Sequence, residues 1–443
     1  MLKNPFAFRV HYRDGIPVLP GAFPIIGQAP SLYLDAAEVM LRGRERLGNL
    51  FWMDVGFGQH IVMCASREAF DVLRSKAASN TYLQEHASTL VGVSILGQEG
   101  PVHQRMRGAM NAPFTPRGLA GTGVGAMVVE QMTTAVAKWA ARRTVTIHEA
   151  TLEVTLGTIF RLIGVEVAEL SAWSEKYRDY VHSAAALPSW LPSMRRAARA
   201  RVWLDDRILA IVKAERARPN RGTFIAELVH GRDEAGQTLS DIELVDNLRL
   251  LTLAGHETTA SVMSWMTIVL AQRPDLWEGL VAEAKAAGDL PSTPQQVRSF
   301  PFAEGIFREA LRLYPSVALT TRQLKGPLTL CGHPLKAGTM VGIGIAALAR
   351  DPEIYSSPDR FDPSRWVGRK EPPTPLETAQ FGGGPHFCLG YHLAWMEAVV
   401  FALALARRLD SEGLRPTLAD GPAPRHYHLP LGHPSKRAKI AFS

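Results

Sequence analysis

Apolar residues crowd every side of the segment LVDNLRLLTLAGHETTASVMSWMTIVLAQ, and Ser240-Asp-Ile-Glu243 stands just before it with the spacing of a capping box. With Pro274 as the stop, the pattern predicts a helix of about 33 residues, roughly 50 Å long at about 1.5 Å per residue. A helix that is apolar all round belongs inside a large fold, and Arg249, His256 and Glu257 speak against a membrane span. A second helix, FAEGIFREALRLYP, ends at Pro315, and a third runs from near Cys388 to about Arg408. Short alternating stretches such as GQHIVMCA, residues 58–65, predict strands. The pattern as a whole predicts a mainly α protein with a small β-rich portion (α+β) drawn from about residues 1–75 and 316–345. No internal repeat or Gly/Ser linker divides residues 1–443, so a single domain is expected.

Composition narrows the class. The chain has 443 residues, 46% hydrophobic and 21% charged, enough apolar material for a substantial core. The uncharged run Gly15–Leu34 has the length of a membrane span, but Pro17, Pro20, Pro24 and Pro30 break its helix, so it reads as a surface strap without a transmembrane anchor. Arg9, Arg13 and Asp14 interrupt any signal-peptide pattern. The net charge of +7 comes without a phosphate loop, zinc finger or aromatic RNA-binding motif, so no nucleic-acid partner is expected. The cysteines, Cys64, Cys331 and Cys388, show no CxxC spacing, which excludes a disulfide framework and a four-ligand zinc site and fits a reducing, cytoplasmic setting.

Cys388 has unusual neighbours. Gly382, Gly383 and Gly384 allow positive φ and close approach to a flat group, and Pro385 stiffens the turn. A cysteine before a helix start meets free N–H groups and the positive end of the dipole, which favour a thiolate. A buried structural cysteine beside a glycine turn would have the same local pattern.

The stretch FGGGPHFCLG resembles the haem-binding signature of cytochromes P450, with Phe381, Gly384, His386, Cys388 and Gly390 in its fixed places. The resemblance implies the P450 fold, with haem b (iron protoporphyrin IX) between the long central helix and the cysteine-loop helix and Cys388 as the iron ligand, a ligation known for this family. It also implies that Phe381, Gly382 and Gly390 line the cofactor. Arginine is the family's commonest residue at the basic position, and here it is His386, whose propionate contact would depend on pH.

Other segments resemble the same family in the same order along residues 19–390. Glu309 and Arg312, three apart on one helical face, match its Glu-x-x-Arg motif, and PDRFDPSRW resembles the segment that supplies a second arginine, read as Arg360. The resemblance implies that Glu309, Arg312 and Arg360 form a cluster supporting the cysteine loop. AGHETT resembles the oxygen-side motif of the long helix. It implies that Ala254 and Gly255 border the haem and that Glu257 and Thr258 deliver protons. A glycine inside a helix costs about 1 kcal/mol relative to alanine, so Gly255 points to close approach of another group or to a local opening of the ladder, a gap that would suit dioxygen and water. His256 reads as a helix-packing or solvent-linked histidine. His103 and Arg107, one turn apart in GPVHQRMRGAMNAPF, and Arg322 in SVALTTR take the family's propionate positions.

These likenesses imply a monooxygenase, an oxidoreductase that inserts one oxygen atom from O2 into a hydrophobic small molecule such as a fatty acid, terpenoid, steroid-like compound or polyketide. Expected pocket walls are Leu90, Val93, Ile95 and Leu96 in the segment Tyr82–Leu96, then Leu250 and Leu251 on the long helix. Val317, Ala318 and Leu319, with Leu429 near the C-terminus, complete them. The basic stretch 187–201 reads as a lid or a solvated helix. Because only 55 residues follow Cys388, electrons are expected from a separate ferredoxin or flavodoxin-like donor, with Arg105 in a basic docking patch and the protein a monomer. The alternatives are a peroxide-driven peroxygenase, disfavoured by the intact Glu257 and Thr258, and a non-catalytic haem carrier or sensor.

Overall fold

The long helix extends from Asp241 to Gln272, 32 residues, and its start is built as the sequence predicts. Ser240 Oγ accepts from the Glu243 N–H at 3.3 Å while the Ser240 N–H donates back to Glu243 Oε2 at 2.8 Å. Pro274 opens the next helix, Pro274–Ala286, so the chain turns where proline forbids continuation. These elements come from a computed structural model, which describes residues 10–181, 190–286, 288–419, 424–428 and 431–443.

The chain forms two compact units. The first comprises Met1–Asn80, Arg308–Cys388 and Ala423–Ser435. Its seven-stranded sheet runs in the order His11–Arg13, Ile16–Val18, Leu50–Gly56, Gln59–Cys64, Met340–Ile343, Thr320–Leu324, Ala78–Ser79. Met340–Ile343 lies parallel to Gln59–Cys64, with Val341 opposite Val62 and Ile343 opposite Cys64. That register brings the two predicted strand-rich stretches into one sheet. Val62, Cys64, Leu324, Val341 and Ile343 are buried with Phe70 and Leu73 in one apolar cluster. Leu32, Met40, Phe51, Met63 and Ala318 form another. A separate hairpin, Leu328–Leu330 with His333–Leu335, belongs to the same unit.

The second unit comprises Thr81–Phe307, Leu389–Pro422 and Lys436–Ser443, and is mainly helical. The long helix packs most extensively on Ile147–Leu162, and Tyr391–Ser411 packs on Val124–Arg142. Thr155 Oγ1 donates to the His256 carbonyl at 3.0 Å, tying the first pair of helices where both backbones are buried. Tyr391–Ser411 is apolar and long enough to cross a membrane by composition, but most of it is buried in the protein as a core helix. A three-stranded sheet of Pro416–Leu418, Lys439–Phe442 and Thr144–Thr146 lies outside the predicted β-rich stretches. Strands of three or four residues are too short to show a period of two.

Candidate functional site

In the first unit the cysteine loop is shaped by its own backbone. The Cys388 N–H donates to the Phe381 carbonyl at 2.8 Å, and Phe387 N–H to Gly384 O at 3.1 Å. Gly382 and Gly384 hold φ of +76° and +61°, where a side chain is strained. A Cβ on Gly384 would also lie 2.4 Å from the Leu73 carbonyl oxygen, so the loop is pressed onto the end of the helix Ala69–Arg74. Cys388 is half-buried, three residues ahead of the first helical residue, Tyr391. Its position is therefore set by the loop's hydrogen bonds, and the helix proper starts later than the sequence suggested.

The Glu309 cluster lies in the same unit, and its membership corrects the sequence reading. Glu309, fully buried, accepts from Arg312 Nε at 2.9 Å and Nη2 at 2.7 Å, from Trp366 Nε1 at 2.8 Å and from Asp362 N–H at 2.9 Å. The third charged side chain is Arg365, whose Nε is 3.0 Å from Glu309 Oε1. Arg360 instead offers its backbone carbonyl to Arg312 Nη2 at 2.9 Å, while its side chain is 69% exposed and 4.0 Å from Asp362. Arg312 further donates to the carbonyls of Ala349 and Pro358 and lies over the Tyr355 ring. Buried charges thus meet donors and acceptors on all sides, which burial requires.

Arg322 is buried on the strand Thr320–Leu324, where Nη1 donates to Thr321 O at 2.8 Å. His386 is half-buried at the end of the turn Gly384–His386.

In the second unit the long helix has a different character at its middle. Ala254 is exposed and Leu251, Gly255, Glu257 and Thr258 are half-buried, although the residues from Thr259 to Leu270 are all buried. Thr258 Oγ1 donates to the Ala254 carbonyl at 2.7 Å, so toward a further group the hydroxyl acts as an acceptor unless that bond is exchanged. Burial raises the Glu257 carboxyl above its usual range, and the charge of Lys436 only partly offsets this. His256 faces away into the packing: its ring meets Tyr177 edge-on at 4.9 Å, Nδ1 is 2.8 Å from Thr252 O, and burial lowers its pKa to about 4. What approaches Gly255 is the side chain of Ile159, since a Cβ there would sit 2.7 Å from Ile159 Cδ1. The close approach expected at this glycine is thus a contact with the neighbouring helix Ile147–Leu162.

His103 is buried and Arg107 half-buried on the helix Gly100–Asn111, one turn apart. Arg105 on this helix is paired with Glu243, the capping residue of the long helix, so it is not an open docking charge. The segment after Ser88–Val91 is pinned to the long helix by bonds the sequence did not reveal. Val93 N–H donates to Asp246 Oδ2 and Ile95 N–H to Asn247 Oδ1, both at 2.9 Å. Asp246 in turn pairs with the fully buried Arg249, which also holds Asp205 of the helix Pro192–Arg216.

These residues suit an iron porphyrin. Taken by itself, the first unit holds a sulfur donor in a fixed loop with an imidazole at His386 and a guanidinium at Arg322, and the second holds the small residues Ala254 and Thr258 on a strip of the long helix left open among buried ones. The cytochrome P450 family profile matches residues 17–414. The chain belongs to the cytochrome P450 family. It is 38% identical to the cytochrome P450 BJ-4 homolog of Sinorhizobium fredii and 37% identical to cytochrome P450 BJ-4 of Bradyrhizobium diazoefficiens, over the full length of each chain. Among solved structures it is similar to retinoic acid bound cyanobacterial CYP120A1, with a TM-score of 0.83, 24% identity and coverage of 97% of this chain and 99% of that one. The heme domain of cytochrome P450DA gives a TM-score of 0.82 at 19% identity, with 96% of each chain covered. The fold is the P450 fold, mainly helical with a small β portion, and the protein is a haem-thiolate monooxygenase that uses iron protoporphyrin IX.

Among the residues expected to line a P450 pocket, Val93 and Leu96 are exposed and Leu90, Ile95 and Leu251 half-buried in the second unit. Val317 and Leu319 are half-buried in the first. Leu250 is buried, and Ala318 is a core residue packed with Leu32, Met40 and Phe51, which removes it from any pocket wall. Leu429 and residues 187–189 lie outside the described residues. Residues 192–201 of the predicted lid belong to the helix Pro192–Arg216, with Ala197 and Ala200 buried and Arg195, Arg196 and Arg199 exposed, the pattern of a solvated basic face.

Proposed function

We propose that Cys388 supplies the thiolate to the haem iron, that His103, Arg107, Arg322 and His386 bond the propionates, and that residues 1–443 work as one P450 domain. The observation that carries this reading is the cysteine loop, where the Phe381 carbonyl and Cys388 N–H close the backbone and the glycines hold positive φ. When bound, haem supplies the activation of dioxygen.

The chain's own residues move the proton. The raised pKa of Glu257 lets its carboxyl hold a proton closer to neutrality than an exposed glutamate would, and Thr258 Oγ1 positions the water that passes it on. The apolar residues Leu90, Val93, Ile95, Leu96 and Leu251 favour a hydrophobic substrate of the fatty acid, terpenoid, steroid-like or polyketide kind. Asp246 and Asn247 hold that segment in place through its backbone. Electrons come from a separate ferredoxin or flavodoxin-like donor.

Thr258→Ala tests the proton path. Haem loading and substrate affinity should remain, since a helix residue is replaced by a better helix former. Product formation should fall about 10²- to 10⁴-fold, the usual worth of positioned acid catalysis, while electron donor is still consumed and peroxide appears. Donor consumed, peroxide released and product formed are measured in one reaction. Coupled turnover in the variant would remove Thr258 from the mechanism.

A further inference from the structure

Cys64 and Cys331 have no part in the haem loop, yet their sulfurs lie 3.8 Å apart, and Ser66 Oγ is 3.6 Å from each. Cys64 ends the strand Gln59–Cys64 and is fully buried. Cys331 is half-buried, in the turn of the hairpin Leu328–Leu330 and His333–Leu335. Leu330 faces His333, so the loop is Cys331-Gly332 alone, with φ of +49° and +77°. Such a two-residue primed turn normally takes Asn, Asp or Gly at its first position, where a larger side chain is strained. The turn is further fixed by Glu68, whose Oε2 accepts from the Cys331 N–H at 2.7 Å.

Packing alone accounts for Cys64 among Val62, Val341 and Ile343. It does not account for a cysteine in left-handed backbone, and unusual conformations of this kind point to a use for the side chain. Exposure separates their roles: Cys331 is half-buried at the turn, whereas Cys64 is fully buried behind it.

We propose that Cys64 and Cys331 are a reversible dithiol–disulfide pair oxidised by hydrogen peroxide. The half-buried Cys331 sulfur attacks peroxide: an S–O bond forms, the O–O bond breaks, and the leaving hydroxide takes up the thiol proton as water. Cys64 sulfur then attacks the sulfenic sulfur, an S–S bond replaces the S–O bond, and a second water departs with the second thiol proton. Two thiols and one peroxide become one disulfide and two waters, with two electrons passing from sulfur to oxygen. The bond joins positions 267 apart in the chain and staples the hairpin turn to the end of a central strand. A small-molecule dithiol reverses it by exchange.

The test uses the reduced holoprotein, treated with hydrogen peroxide, quenched with an alkylating agent, denatured and analysed by intact mass and peptide mapping. Expected are the loss of two hydrogens, a cross-linked peptide containing Cys64 and Cys331, loss of alkylation at both, and recovery of both on adding dithiothreitol. In Cys331→Ser, a change confined to a half-exposed turn, the cross-link should be absent. In Cys64→Ser, Cys331 should instead gain oxygen as sulfinic acid, because no partner resolves the sulfenic acid. Two outcomes overturn the proposal: Cys64 and Cys331 remaining separately alkylatable in the wild type after peroxide, or a cross-link through Cys388.

Discussion

Around Glu309, in the first unit, donors arrive from the next turn of the helix, from a tryptophan ring and from a backbone N–H, and Arg365 adds an ion pair. Around Glu397, on the helix Tyr391–Ser411 of the second unit, Oε1 meets no hydrogen-bond partner among the described residues, and burial pushes the carboxyl up to about 8. Both side chains are buried to the same degree. The difference lies in how the cost of burial is met: the first carboxylate is matched by positive charge, whereas the second stays neutral by keeping its proton. The matched site can bear load as a scaffold for a loop. The neutral one makes the fold sensitive to pH.

The largest expected effect breaks the matched site. Glu309→Ala leaves Arg312 buried beside an absent partner, which costs about 3 to 5 kcal/mol, and haem retention should fail with it. Denaturant midpoints and haem content check this, and a haem-loaded variant of unchanged midpoint would contradict it. Next, the neutral site predicts a pH slope. Unfolded glutamate titrates near about 4.3, while folded Glu397 holds its proton up to about 8. Between those values the folded state binds the extra proton, so stability falls as pH rises, by up to about 1.4 kcal/mol per pH unit. Glu397→Gln should flatten that slope. An identical pH dependence of the melting temperature in variant and wild type would show that Glu397 does not carry it.

A smaller effect separates two arginines. Arg365→Ala removes an ion-pair partner of Glu309 and should cost about 1 kcal/mol. Arg360→Ala keeps the backbone carbonyl that Arg312 uses and should stay within about 0.5 kcal/mol of wild type. Equal losses would restore Arg360 to the cluster.

The same contrast explains what could be read from the sequence. The capping box at Ser240 and Glu243 and the pair Glu309 and Arg312 were legible because each partner lies three residues from the other on one helix. Arg365 was not, because the loop that carries it reaches Glu309 through contacts spanning more than fifty residues, such as Asp362 N–H to Glu309 at a separation of 53. Gly255 is legible as a costly residue in a helix interior, but its neighbour Ile159 sits on another helix and leaves no mark nearby. The anchors Asp246 and Asn247 were hidden likewise, since their acceptors bind backbone N–H groups that any residue would offer. Glu397 could be suspected only as a charge inside an apolar run, and its solitude depends on the helices packed around it.

The central claim is that Cys388 sulfur binds the haem iron as a thiolate. The carbon monoxide difference spectrum of the ferrous protein, recorded for wild type and Cys388→Ser, tests it most directly. The wild type should show the red-shifted Soret band that an anionic sulfur ligand produces, and the variant should lose it, because a neutral hydroxyl cannot replace that donor. The same thiolate band in Cys388→Ser would contradict the account.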